Sequence, residues 1–113
     1  MNRHSLAPRL RHRIQIEHSV ATRDQWGGAA TAWETFAAHV PAEVVPLSGR
    51  EFIASAATQA AIVARITIRY VAGITPAMRV THDGNIYNIQ AVLPDPTGRR
   101  HLTLMCEAGL NNG

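Results

Sequence analysis

Six histidines, one cysteine and eight acidic residues are the side chains of this 113-residue sequence that could hold a metal or move a proton. A zinc centre needs ligands at short spacings such as Cys-x-x-Cys or His-x-x-x-His. No two of His4, His12, His18, His39, His82, His101 and Cys106 stand that way. Hydrolytic chemistry needs a nucleophile beside a base and an oxyanion pocket, and the local frame Gly-x-Ser-x-Gly is absent. The carboxylates lie far apart in sequence, so none forms a local acid–base pair, while a pair assembled in three dimensions stays open. No glycine-rich loop has phosphate-binding spacing. The expectation is a protein that is not an enzyme, with no catalytic residue, no cofactor and no metal.

What remains are surfaces. Arg3, Arg9, Arg11 and Arg13 make a basic arm with no acid before Glu17. A guanidinium fork holds carboxylates as readily as phosphates. A solvated face in an arginine-rich chain is the plainer account: all 11 basic residues are arginine, as codon usage in a GC-rich genome would produce. Trp26, between Gln25 and Gly27 in a polar stretch, either anchors a contact or folds back onto its own domain. Ser48, Gly49, Arg50 and Glu51 form a capping box, in which Ser48 accepts from the first free amides of a helix and Glu51 bonds back to the cap. Leu47 and Phe52 are placed as the hydrophobic staple of that helix.

The elements that position these residues follow from period. Residues 62–70 alternate strictly, with Ile62, Ala64, Ile66, Ile68 and Tyr70 on one face and Val63, Arg65, Thr67 and Arg69 on the other, which is a half-buried strand. Leu10, His12, Ile14, Ile16, His18 and Val20 share one parity of a first strand, with His12 and His18 expected at the core rim, bonded to backbone. Residues 21–32 read as a long hairpin loop carrying Trp26. A second strand over 33–45 puts Phe36, Ala38, Val40, Ala42 and Val44 on one side, with Pro41 at an edge or bulge. A short helix starts at Ser48 and runs to about residue 61. Strands at 62–72, 78–82, 85–93 and 101–107 complete the chain, with Asp83-Gly84 as a two-residue turn.

Six short strands and one helix after the second strand describe a mainly β domain, a small antiparallel barrel of about six strands or a sandwich. One domain fills 1–113: an N-terminal arm (1–9), the barrel (10–108) and a flexible tail (109–113). The 46% hydrophobic and 17% charged fractions fit an ordered protein, and the net charge of +3 is too small to argue nucleic-acid binding. No apolar run approaches the roughly 20 residues that span a bilayer. The start lacks the apolar stretch of a signal peptide, and an intracellular product is expected. With Cys106 alone, no intrachain disulfide forms.

Six segments in order resemble the head-tail joining proteins of tailed bacteriophages, also called head-closure or stopper proteins, with copies in prophages and gene transfer particles. They are Leu10-Arg11-His12-Arg13-Ile14, the loop from Asp24 to Gly28 leading to Trp33, Pro46-Leu47-Ser48-Gly49-Arg50-Glu51, Ile66-Thr67-Ile68-Arg69-Tyr70, Gly73-Ile74-Thr75-Pro76-Ala77-Met78-Arg79-Val80 and Tyr87-Asn88-Ile89. The similarity spans about 10–107. It implies a homo-oligomeric ring of six or twelve copies at the head–tail neck of a virion assembled in the bacterial host cytoplasm. The portal or its adaptor protein would lie on the head side, and a tail terminator or tail tube protein on the other. Double-stranded DNA would pass without sequence-specific contacts, and no membrane is involved. In such a ring Arg9, Arg11, Arg13, Gln25 and Trp26 become expected adaptor or neighbour contacts. Ser48, Gly49, Arg50, Glu51 and Phe52 become an expected channel-facing or gating segment. Two rival readings are a tail-completion ring and a monomeric nucleic-acid-binding barrel. The second sits poorly with the 5% aromatic content, none of it inside the basic arm.

Overall fold

The computed structural model describes residues 9–47, 62–98 and 100–109. Six strands fill most of that span: β1 (His12–Arg23), β2 (Ala29–Pro46), β3 (Ile62–Arg69), β4 (Arg79–His82), β5 (Asn85–Pro94) and β6 (His101–Ala108). All pairings are antiparallel, and the order β1-β2-β3-β6-β5-β4 closes into a barrel when β4 returns to β1 through Gln15↔Thr81, Ile16↔Val80 and Glu17↔Arg79. Within the barrel, closure removes the sheet edges that would otherwise invite pairing with other chains. The predicted helix from Ser48, the segment Ser48 to Phe52, the start of the N-terminal arm and the end of the tail lie outside the described residues. There is no helix among the described residues.

Alternation decides the interior. Ile14 and Ile16 of β1, Val40 and Ala42 of β2, Ile66 and Ile68 of β3, Val80, Ile89, Leu102, Leu104 and Cys106 form one core cluster. Each fully buried aliphatic side chain contributes about 1.5–3 kcal/mol relative to exposure. Asp83 and Gly84 take φ values of 54° and 83°, the left-handed pair of a two-residue β4–β5 turn, as the Asp-Gly dipeptide predicts.

Three expectations about the strands need correction. The loop expected over 21–32 is mostly strand: β1 and β2 stay in register to Thr22↔Ala30 and Arg23↔Ala29, leaving only residues 24–28 as the turn. Ala21, Ala29 and Ala30 are poor strand formers that dilute the signal of Thr22 and Thr31, so composition hid a ladder that backbone pairing sustains. The single face expected for β2 also fails. Register shifts between Ile14 and Ile16, and between Ile16 and Glu17, insert two extra β2 residues. Each bulge flips side-chain parity, so Ala37 packs on the core while Phe36 is 38% exposed. Last, the third strand stops at Arg69 rather than continuing to residue 72. The Tyr70 amide donates to the Arg100 carbonyl, and residues 70–78 fold across that end of the barrel with Ile74 buried. Gly73 allows this with φ 92°, and a Cβ there would come within 3.2 Å of the Phe36 ring.

Of the two histidines expected at the core rim, His12 is exposed and His18 is half-buried. His12 stands outside the core with its ring edge-on to His82 at 4.9 Å, and His18 lies edge-on to Phe36 at 6.2 Å.

Cys106 has no exposed surface, and burial pushes its thiol up to about 12. It is expected to stay unreactive to a thiol reagent at pH 8 until denaturant unfolds the barrel, which a timed labelling experiment with and without urea checks. An unfolded thiol ionises near pH 8.5. The stability from keeping this one protonated is therefore complete below that pH and declines as pH rises toward about 12.

Candidate interaction site

β4 covers β1 only at Gln15, Ile16 and Glu17, and β3 covers β2 only from Ala42 to Pro46. Beyond those points, among the described residues, the two long strands pair only with each other. From His18↔Glu34 to Arg23↔Ala29 they form a two-stranded ribbon that extends out of the barrel wall. At about 3.3 Å per residue, its tip lies roughly 30 Å along the strand from Arg13. Isolated two-stranded ribbons are marginal in water, so this one depends on its turn and its root.

The turn is fixed by Asp24. Its Oδ1 accepts from the amides of Trp26 and Gly28, both at 2.8 Å, and its own amide donates to the Gly28 carbonyl. Gly27 takes φ 82° to close the loop. This rigid turn presents Trp26 with its side chain 84% exposed. Asp24→Ala is expected to cost about 1 kcal/mol and to speed amide exchange at Trp26 and Gly28, read by NMR; unchanged exchange would contradict the role given to this carboxylate.

The root is held by a cluster on the outer barrel face. Arg79 of β4 donates from Nε to Glu17 Oε1 at 2.7 Å, and Gln15 donates to the other Glu17 oxygen at 2.7 Å and to Thr35 Oγ1 at 3.1 Å. The Arg79 guanidinium lies 4.2 Å from the centroid of the Trp33 ring. Only 12% of the Arg79 and 14% of the Glu17 side chain is exposed. Sequence reasoning singled out none of Glu17, Trp33 and Arg79. The available signal was that Glu17 and Arg79 both fall on outward parities of predicted strands while carrying opposite charge.

The expected contact residues fall in two places. Gln25 and Trp26 are at the ribbon tip; Arg9, Arg11 and Arg13 are exposed at the start of β1. Arg9 is engaged by Glu43, with Nη2 to Oε1 at 2.6 Å, and this hydrogen bond holds the Glu43 carboxyl below its ordinary range. Arg13 Nη1 reaches only the His12 carbonyl at 3.4 Å. It also lines a groove of about 210 Å³ with Gln15, His39, Thr81, His82 and Asp83. Among the described residues no three histidines, cysteines or carboxylates stand close enough to hold a metal ion, and no helix is long and apolar enough to cross a membrane.

The family model described as phage head completion protein matches residues 6–109. The chain belongs to the phage head completion protein family. This agrees with the resemblance carried by the six segments. A solved structure of similar fold is the protein SF1141 of Shigella flexneri 2a, 33% identical over 93% of this chain and 97% of that one, with a TM-score of 0.74. Another is a chain in the virion of a native gene transfer agent particle, 21% identical over 83% of this head completion family member and 90% of that chain, with a TM-score of 0.54. No curated protein matches the sequence.

Proposed function

We propose that this chain is a structural subunit of the head–tail connector in a phage or phage-like particle. Copies of it form the closure ring that retains packaged DNA and offers a docking surface to the tail. The observation that carries the reading is the match to head completion proteins over nearly the whole described chain. Its surface supports the same role: a closed barrel with a projecting ribbon, ribbon edges that pair with no other strand among the described residues, and an exposed aromatic at the tip suit assembly by shape. The gene transfer agent chain shares the fold, which is in keeping with a virion component.

In this reading the ring closes by a head-to-tail contact repeated around an axis. The Trp26 ribbon reaches the neighbouring copy or the adaptor, and the portal side lies on one face with the tail terminator or tube on the other. No turnover and no cofactor are required. Electron microscopy of particles assembled without this chain tests the proposal. Heads that lose DNA and acquire no tails are expected; normal tailed particles would end it.

A further inference from the structure

The groove beside Arg13 has a composition that the connector role does not explain. Arg13, His39 and His82 converge there with Gln15, Thr81 and one carboxylate, Asp83. Among the described residues no acid pairs with Arg13. His39 is held at φ 55° beside the β2 bulge opposite Gln15. Bulges re-aim side chains, and a non-glycine residue in the left-handed region persists only where its surroundings impose it.

We infer that this groove is a docking site for a carboxylate-bearing segment of a second, different protein. A guanidinium offers paired N–H donors in the geometry of a carboxylate, with the imidazoles of His39 and His82 beside it in the groove. A groove of this size admits a side chain rather than the face of a nucleic-acid duplex. A different protein is a better donor than a second copy of this chain, because four of the seven described acids are already engaged within the subunit. Glu17 holds Arg79, Glu43 holds Arg9, Asp24 caps the ribbon turn, and Asp95 accepts from Thr97 and faces His101. Asp83 lines the groove itself, and Glu34 lies 4.0 Å from His18. That the donor is a neighbour in the neck rests on the connector reading; the groove's preference for carboxylates does not.

The probe is a hexaglutamate peptide titrated into the purified full chain and followed by NMR. Shifts confined to Arg13, His39, Thr81 and His82 are expected, with affinity reduced about tenfold by Arg13→Gln and unchanged by Arg23→Gln on the ribbon. Equal weakening by both substitutions, or no localised shift, overturns the inference. So does displacement of the peptide by a short DNA duplex at lower concentration. So does a change in self-association on Arg13→Gln, which would make a second copy the occupant. Particles that need the chain while the peptide fails to bind would sink this inference and leave the connector role standing; normal particles without the chain would sink the role alone.

Discussion

Arg79→Met is expected to lower the unfolding free energy by about 3 kcal/mol, because it strands a carboxylate that the fold has largely removed from water. Glu17 is 14% exposed, and its oxygens are met by Arg79 on one side and Gln15 on the other. Methionine fills space against Trp33 but offers no donor, so Glu17 keeps its charge with only the Gln15 amide to offset it. The cluster is not fully satisfied even now: Arg79 Nη1 and Trp33 Nε1 are buried with no hydrogen-bond partner among the described residues. A double variant, Glu17→Gln with Arg79→Met, should therefore recover more than half of the loss. Urea unfolding of the three variants reads both effects, and a loss below about 1 kcal/mol for the single variant would mean that the pair behaves as a solvent-screened surface bridge. Since the cluster stands where β4 ceases to cover β1, amide protection in the ribbon should fall with it, at Val20 and Ala32 before the barrel.

Trp26→Ala should do the opposite, leaving stability unchanged and removing function. The ring is 84% exposed, so truncation forfeits little packing, and surface changes of this kind shift stability by within about 0.5 kcal/mol. A tryptophan at the centre of an interface is a different matter, with a loss of about 2 kcal/mol or more on truncation. Particles carrying the variant should show a tailed fraction lower by at least about tenfold, counted in micrographs beside wild type. Normal tails would remove Trp26 from the contact. Acrylamide quenching distinguishes the two indoles in the free chain beforehand: Trp26 quenches readily, whereas Trp33, covered by Arg79, is shielded.

The third strand and the β4–β5 turn could be read from the sequence because Ile62 to Ile68 and Asp83-Gly84 carry their conformation in local pattern. β2 could not. Its bulges arise from pairing with β1 across a closed barrel, and nothing in the run Phe36-Ala37-Ala38-His39 announces which residue will be squeezed out of register. The ribbon was hidden for a related reason: its alanines are poor strand formers that dilute the signal of its threonines, and partner hydrogen bonds decide the outcome. Of the site, the tip at Trp26 was legible because a large aromatic among polar residues stands out in any context. The Glu17–Arg79–Trp33 cluster joins residues up to 62 positions apart, a proximity set by the closure of β4 onto β1. Arg9, Arg11 and Arg13 look alike in sequence, and the structure separates them: Arg9 is tied to Glu43, while Arg13 opens onto the groove.

The inside of the barrel is solid. Ile16, Ile66, Ile68, Ile89, Leu104 and Val80 meet across it, and Ile74 stoppers one end, so a single subunit has no bore. Any passage for a genome is then a property of how many subunits stand in a circle and how far apart their outer walls are held. Its diameter would be tuned by substitutions on those walls, with the packed interior left untouched.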